Sequence, residues 1–392
     1  MIEFGIDEIT DVLQYTDNCN LLYGVYEWKD IAEYMIHKFE RNADLVGVFG
    51  NRSIERTAPA GYTIAYKYGC HDFYFAVAYH EFHMTMGIVV KFSAKALDFY
   101  LEKTGLTVSS FLQKVSDREY DQRLSRIDLT ADFIDEPIDI SEIYQTLMDE
   151  RVAVFRKQLN ELNHRVEYRK VPMKYEGRIV GEEVETIYVG SNKSNSRLRI
   201  YNKRKEQIAN NGNKLEKAVK CNSWVRFEGV FRNDYAHQLS DELFKIKTDV
   251  ELLELIASTL CNKYFFMNVN KGVAEKPTLY TQRILDAISN GDYRLRAPRN
   301  RSYELSKNIA YIFNGSGVMS TLYKMKKIWG IEAVNWLLCY IQELIQNKYI
   351  GNADCKYWLT NNLKDYQMYY PDFSTFVGEN LSTTIKKGGG CL

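Results

Sequence analysis

The sequence predicts an α+β fold: a central, mainly antiparallel β-sheet with flanking helices, followed by a helical C-terminal region. Three observations carry that expectation. Short runs alternating polar and apolar side chains recur between residues 61 and 232, the pattern of half-buried strands. Turn formers separate several of them, which favours antiparallel neighbours. Beyond Asp234 the apolar spacing is helical almost to the end.

Residues 1–60 read as short helical or irregular pieces, with an amphipathic period from Lys29 to Arg41. From Gly61 to Phe92 the chain is rich in Tyr, Phe, Val and Ile, with Tyr68 to Asp72 as a turn, so strands are expected. His80-Glu81-Phe82-His83 looks like a metal motif. In a strand, however, the two histidines would point to opposite faces, and a structural role is expected. Ser93 to Val115 returns to helical spacing through Leu97, Tyr100, Leu101, Phe111 and Leu112. Arg126 to Phe133 alternates strictly and predicts a strand. Ser141 to Asn160 reads as one long amphipathic helix with Ser141 as its N-cap.

Glu185 to Gly190 and Arg197 to Lys203 flank six polar loop formers, Ser191 to Ser196, and predict a hairpin. A polar, helical segment follows, and Trp224 to Arg232 alternates again. Lys276-Pro277 and Arg294 to Arg301 are the linker candidates. The expected division is an N-terminal segment 1–60, a sheet-based domain 61–240, a helical region 241–385 and a flexible tail 386–392. A chain of 392 residues favours more than one domain.

Composition sets further bounds. The 51 Lys+Arg and 51 Asp+Glu cancel, which at first argues against a nucleic-acid partner. By segment they do not cancel. Residues 1–150 hold 13 basic and 26 acidic side chains, for −13. Residues 151–232 hold 19 and 9, for +10, and residues 233–392 hold 19 and 16, for +3. Six cations (Lys193, Arg197, Arg199, Lys203, Arg204, Lys205) follow one another without an acid among them. The seven scattered cysteines contain no C-x-x-C pair, which fits a reducing compartment. With an acidic N-terminus unlike a signal peptide and no apolar run of membrane length, a cytoplasmic protein without membrane contact is expected.

Sorting the strands by face gathers the chemistry. Ile127, Leu129, Ala131 and Phe133 take one side, with Arg126, Asp128, Thr130 and Asp132 on the other. Leu198 and Ile200 turn inward, opposite Arg197, Arg199, Tyr201 and Lys203. Val225, Phe227 and Phe231 are apolar, opposite Arg226, Glu228, Val230 and Arg232. One face of a shared sheet would then hold three carboxylates, several guanidiniums and one tyrosine. The plain reading is a solvated face with cross-strand ion pairs. The sharper one is a phosphodiester-processing site: carboxylates for a divalent cation, cations for phosphate and a tyrosine nucleophile once its proton, of pKa ~10, is removed.

The blocks Leu124 to Phe133, Ile187 to Ser191 leading to Arg199-Ile200-Tyr201-Asn202-Lys203, and Trp224 to Glu228 resemble, in this order, the Rep_trans replication initiation factors. That family includes initiators of rolling-circle plasmids and related relaxases of integrative conjugative elements. The resemblance covers about residues 60 to 240. It implies a relaxase- or initiator-like nicking domain and a site-specific, metal-dependent enzyme that cuts one DNA strand through a covalent 5′-phosphotyrosine. It implies Tyr201 as nucleophile, Asp128 and Glu228 as carboxylates for Mg²⁺ or Mn²⁺, and Asp132 as a third that could instead balance the arginines. Arg199, Lys203 and Arg226 would face phosphate, with Arg197, Lys193, Arg204 and Lys205 adding charge. Implied partners are a double-stranded origin with its nick-site hairpin, single-stranded DNA, a second copy of the chain and a host helicase. A conjugative relaxase is the alternative output of the same chemistry. A non-catalytic nucleic-acid-binding module, suggested by the 29 tyrosines, is the alternative from another class.

Overall fold

A computed structural model of the chain describes residues 1–160, 165–288, 305–314, 316–351 and 353–380. Its strands are β1 (Ile2–Tyr15), β2 (Arg52–Ile54), β3 (Ile64–Tyr68), β4 (Phe75–Tyr79), β5 (Ile88–Phe92), β6 (Tyr120–Ile134), β7 (Val152–Asn160) and β8 (Arg165–Lys170). They continue with β9 (Tyr175–Val180), β10 (Glu183–Val189), β11 (Ser196–Asn202), β12 (Trp224–Arg232), β13 (Phe265–Asn270) and β14 (Val273–Pro277). Ten form one sheet in the order β2-β3-β4-β5-β1-β6-β12-β11-β10-β9, and four form a second in the order β14-β13-β7-β8. Every neighbouring pair is antiparallel. The expected α+β class with an antiparallel sheet and C-terminal helices is what the chain adopts.

The apolar face of the large sheet builds the core. Ile127, Leu129, Ala131 and Phe133 of β6 lie beside Val225, Phe227 and Phe231 of β12 and Leu198 and Ile200 of β11, all buried. The helices Asp234–Leu243 and Asp249–Lys263 cover part of this face. The second starts in a capping box in which Thr248 and Glu251 satisfy each other's backbone N–H groups. Its approach is close enough that a Cβ on Gly229 would lie 2.6 Å from Leu260 Cδ2 and 2.8 Å from the Phe231 ring. Gly229→Ala is therefore expected to lower stability by about 1–3 kcal/mol through overpacking. Urea unfolding checks this, and an unchanged midpoint would show that the helix yields freely.

Three segments depart from the expectations above, each for a local reason. Residues 2–15, read as helical or irregular, form β1 at the middle of the large sheet, between β5 and β6. Apolar residues at 2, 6, 9 and 13 mimic helical spacing because the register shifts between Ile6 and Glu8, where Asp7 is the extra residue. The helix expected over Ser141 to Asn160 runs only from Ile140 to Met148, capped by Asp139 rather than Ser141. Glu150 then takes a left-handed φ of 56°, and the β-branched Val152 and Val154 continue as β7. Within the stretch expected to be helical, Phe265–Pro277 is a hairpin whose two-residue loop, Lys271-Gly272, has φ of 48° and 81°. Such positive values at both loop positions match the twist of a tight hairpin.

Smaller differences follow. His80 to His83 forms a turn after β4, and it brings the two imidazoles to 4.2 Å between centroids instead of parting them. The chain divides into two compact units, Met1–Ala297 and Pro298–Leu392. The second unit contains the described helices Leu305–Asn314, Val318–Trp329, Ile331–Asn347, Ala353–Tyr369 and Phe373–Asn380. The Arg294 to Arg301 linker candidate and the 386–392 tail lie outside the described residues. Among the described residues no helix is long and apolar enough to cross a membrane.

Candidate active site

The polar face of β1, β6, β12 and β11 follows from the register. Arg226 pairs across with Asp132 on one side and Tyr201 on the other, Glu228 with Thr130 and Arg199, and Glu8 with Asp128. Tyr201, Asp128, Glu228, Asp132, Arg199 and Arg226 thus share one face, as the alternation implied. This face is not solvated in the way an ordinary ion-paired surface would be. Asp128 and Glu228 are each 1% exposed and Arg226 2%. One end is roofed by the helices Lys203–Ala209 and Leu215–Lys220, through a cluster of Ile134, Ala218, Cys221 and Trp224.

Two chains of alternating charge run through the face. In the first, Arg126 donates to Asp128 at 3.0 and 2.7 Å and reaches Glu8 at 2.7 Å. Arg199 Nη2 lies 3.5 Å from Asp128 Oδ2 and bonds Glu228 Oε1. The Tyr201 hydroxyl donates to Glu228 Oε2 at 2.9 Å. In the second, Arg226 holds Asp132 with two bonds of 2.7 Å and donates to Asp7 at 2.5 Å. Such planar bidentate pairing is among the strongest side-chain interactions. It commits Asp132 to Arg226.

The electrostatics follow from this crowding. Burial pushes the Asp128 carboxyl above its ordinary value against the pull of Arg126 and Arg199. Burial also raises Glu8, again against Arg126. For Asp7 burial acts upward too, but Arg226, Lys203 and Lys214 outweigh it and hold the carboxyl low. Burial drives the Tyr201 phenol well above its ordinary value, with Arg226 pulling down and Asp7 pushing up. The nucleophile candidate is therefore a firmly protonated phenol in this state, and any role in attack requires that its proton have an acceptor.

The remaining cations spread out. Lys203 does not extend the strand: the Asn202 side chain caps a helix by accepting from the Lys205 N–H, so Lys203 opens that helix and pairs with Glu206 at 3.0 Å. Arg204 Nε donates to the carbonyls of Ala218 and Cys221 at 3.1 and 2.9 Å, which ties the roof together. Arg197 pairs with Glu176 at 2.8 Å and stacks 4.0 Å over Tyr188. Lys205 pairs with Glu183 at the surface, and Lys193 lies exposed in the β10–β11 loop.

Reading by sequence missed Asp7 and Glu8, because the bulge in β1 hides its alternation. It also left Arg232 without a role, although Arg232 sits directly opposite Arg126 and has no ion-pair partner among the described residues. Burial and the Arg126 charge both pull the Arg232 guanidinium below its ordinary value. The alternating pattern had already placed Arg232 on this face. What it could not supply was the like-charged neighbour.

A family model described as replication initiation factor, Rep_trans, matches residues 122–341. The chain belongs to the Rep_trans family. Among solved structures, this Rep_trans chain is similar to the rolling circle replication initiator protein from Geobacillus stearothermophilus. The likeness has a TM-score of 0.51 at 17% identity and covers 73% of this chain and 97% of that one. At that identity it shows a shared fold. No curated protein sequence matches the chain. The matched span includes Tyr201 and the carboxylates of β6 and β12, but it leaves out β1 with Asp7 and Glu8.

Among the described residues no group of three or more His, Cys, Asp or Glu stands ready to hold a metal ion. Two carboxylates do converge, since Asp128 Oδ2 and Glu228 Oε1 both face Arg199 Nη2. Oxygen donors of this kind suit a hard divalent cation, and Mg²⁺ is commonly held by one or two carboxylates with phosphate and water completing its shell. The pair therefore fits such an ion, with Arg199 standing in as the positive charge between them.

Proposed function

We propose that this Rep_trans chain is a site-specific DNA nicking-closing enzyme that initiates rolling-circle replication of a plasmid through a covalent 5′-phosphotyrosine. The observation that carries this reading is the Tyr201 hydroxyl, bonded to Glu228 at 2.9 Å beside a guanidinium with a spare donor. Arg199 Nε is buried without a partner, and an unmet buried donor favours an incoming acceptor such as a phosphate oxygen. Tyr201 Oη would attack the phosphorus and form the ester to the 5′-phosphate, and the 3′-oxygen would leave as a hydroxyl. Glu228 Oε2 already accepts the proton that Tyr201 must shed.

Asp128 and Glu228 would hold the divalent cation, with Mg²⁺ or Mn²⁺ as the ions of choice. Bound there it would supply charge to the phosphoryl oxygens. Arg199, released from between the two carboxylates, would be free to hold phosphate. Arg126 and Arg232 would hold the DNA backbone beside it. Asp132 and Asp7 would act on Arg226 and shape the face from beneath. The substrate would be an origin presented as duplex or hairpin and then as single strand. A second copy of the chain and a host helicase are partners the family reading adds.

The test is a supercoiled plasmid carrying the origin, incubated with Mg²⁺ or Mn²⁺ and resolved for an open circle bearing bound protein. No open circle and no adduct with either ion would remove the nicking reading. Asp128→Asn and Glu228→Gln are each expected to weaken Mn²⁺ binding, read by electron paramagnetic resonance on the protein alone. The loss should be at least the ~10–100-fold that losing an outer partner of a metal site costs. Unchanged Mn²⁺ affinity in both variants would clear these two carboxylates of that role.

A further inference from the structure

The second sheet continues into a two-stranded ribbon, β7–β8, one face of which carries Arg156 and Arg169 beside the carboxylate Glu167. Register places Arg156 directly opposite Arg169, with Lys157 opposite Tyr168 on the other face. Arg156, Lys157 and Arg169 are all exposed, and none has an ion-pair partner among the described residues. Like charges directly opposite on neighbouring strands destabilise a sheet, so the pairing has no structural return. Lys263 extends the cluster, donating to the Tyr235 hydroxyl at 2.8 Å and lying 4.1 Å over that ring. Burial, with the Arg156 charge adding to it, pulls Lys263 down to about 8. The ribbon's own ring, Tyr168, is stacked on Phe265 at 5.6 Å, so this surface offers charge more than free ring faces.

We propose that the β7–β8 ribbon is a second DNA-binding element, which grips the phosphate backbone of duplex DNA through Arg156 and Arg169. On the polar face Arg232 likewise lies opposite an arginine, Arg126, and has no ion-pair partner of its own among the described residues, whereas Arg126 is held by Asp128 and Glu8. A two-stranded antiparallel ribbon has the dimensions of the major groove. The sheet that carries it packs toward the apolar side of the large sheet, where Phe266 meets Phe227 at 6.3 Å. DNA on the ribbon is therefore a different stretch from the one presented to Tyr201. The ribbon fixes where the protein sits, and the polar face acts on what lies beyond. This rests on the DNA-acting reading above for its ligand, but not on the nicking chemistry.

The test uses the full chain and a short random-sequence duplex, with binding followed by fluorescence anisotropy over a KCl series. For Arg156→Ala/Arg169→Ala the slope of log affinity against log salt is expected to fall by about 1.8, or ~0.9 for each phosphate left without its arginine. Affinity at about 0.15 M salt should drop about 30-fold. Arg156→Lys/Arg169→Lys should keep the wild-type slope, and Arg169→Gln alone should show about half of the change. If the Ala pair, folded by circular dichroism, keeps the wild-type slope and affinity, the ribbon proposal is overturned and the nicking reading stands. If the wild-type chain binds no duplex at any salt concentration, both fall together.

Discussion

Tyr201→Phe is expected to abolish the covalent protein–DNA adduct while DNA binding survives. Phenylalanine keeps the ring, so the strand pairings of Tyr201 with Arg226 and Thr186 are preserved. What disappears is the hydroxyl and its bond to Glu228. Loss of a covalent nucleophile typically costs several powers of ten in rate, on the order of 10⁴-fold or more, whereas loss of one hydrogen bond costs about 1 kcal/mol of stability. Mass spectrometry of the trapped adduct should find the nucleotide on the peptide containing Tyr201. An adduct on another tyrosine, or undiminished nicking by the variant, would move the nucleophile elsewhere.

Arg226→Ala should give the largest loss of stability of any single change on this face. The guanidinium is almost wholly buried and satisfies two carboxylates at once, Asp132 through two bonds and Asp7 through a third. Removing it leaves the Asp132 charge buried and unpaired and takes from Asp7 its bonded guanidinium, a situation that costs about 3–5 kcal/mol. Arg226→Lys should recover only part of that, because an ammonium cannot reproduce the planar fork. In a double-mutant cycle, adding Asp132→Ala to Arg226→Ala should cost less than the sum of the two, with a coupling above about 1 kcal/mol. Denaturant unfolding reads all four species. A loss below about 1 kcal/mol for Arg226→Ala would mean that water reaches this triad.

The parts of the fold legible in sequence were those where period and burial agree. β6 from Arg126 onward, β11 and β12 keep the strand period, so their faces, and with them Tyr201, Asp128, Asp132, Glu228, Arg199 and Arg226, could be assigned from alternation alone. Lys203 fell one residue beyond the alternation because Asn202 turns the chain into a helix. β1 was illegible because a single extra residue at Asp7 converts a strand period into a helical one. β7 was absorbed into a helix because Ser141 to Asn160 is apolar on both sides of the left-handed Glu150. The pairing of charges lies beyond sequence reasoning altogether. That Arg226 serves Asp7 as well as Asp132, or that Arg156 meets Arg169, depends on register between strands, which no single segment encodes.

The central position of β1 has a consequence for how this protein comes into being. Residues 2–15 leave the ribosome long before β5 at residues 88–92 and β6 at residues 120–134, so during synthesis this strand has no partner to pair with. The bond between Asp7 and Arg226 spans 219 residues, and at ~5–20 residues per second its two ends are separated by many seconds of translation. Any fragment that stops short of β12 lacks both Arg226 and Glu228, whatever else it has folded. The chemistry proposed for this face is thus withheld from nascent chains until β12 has been made.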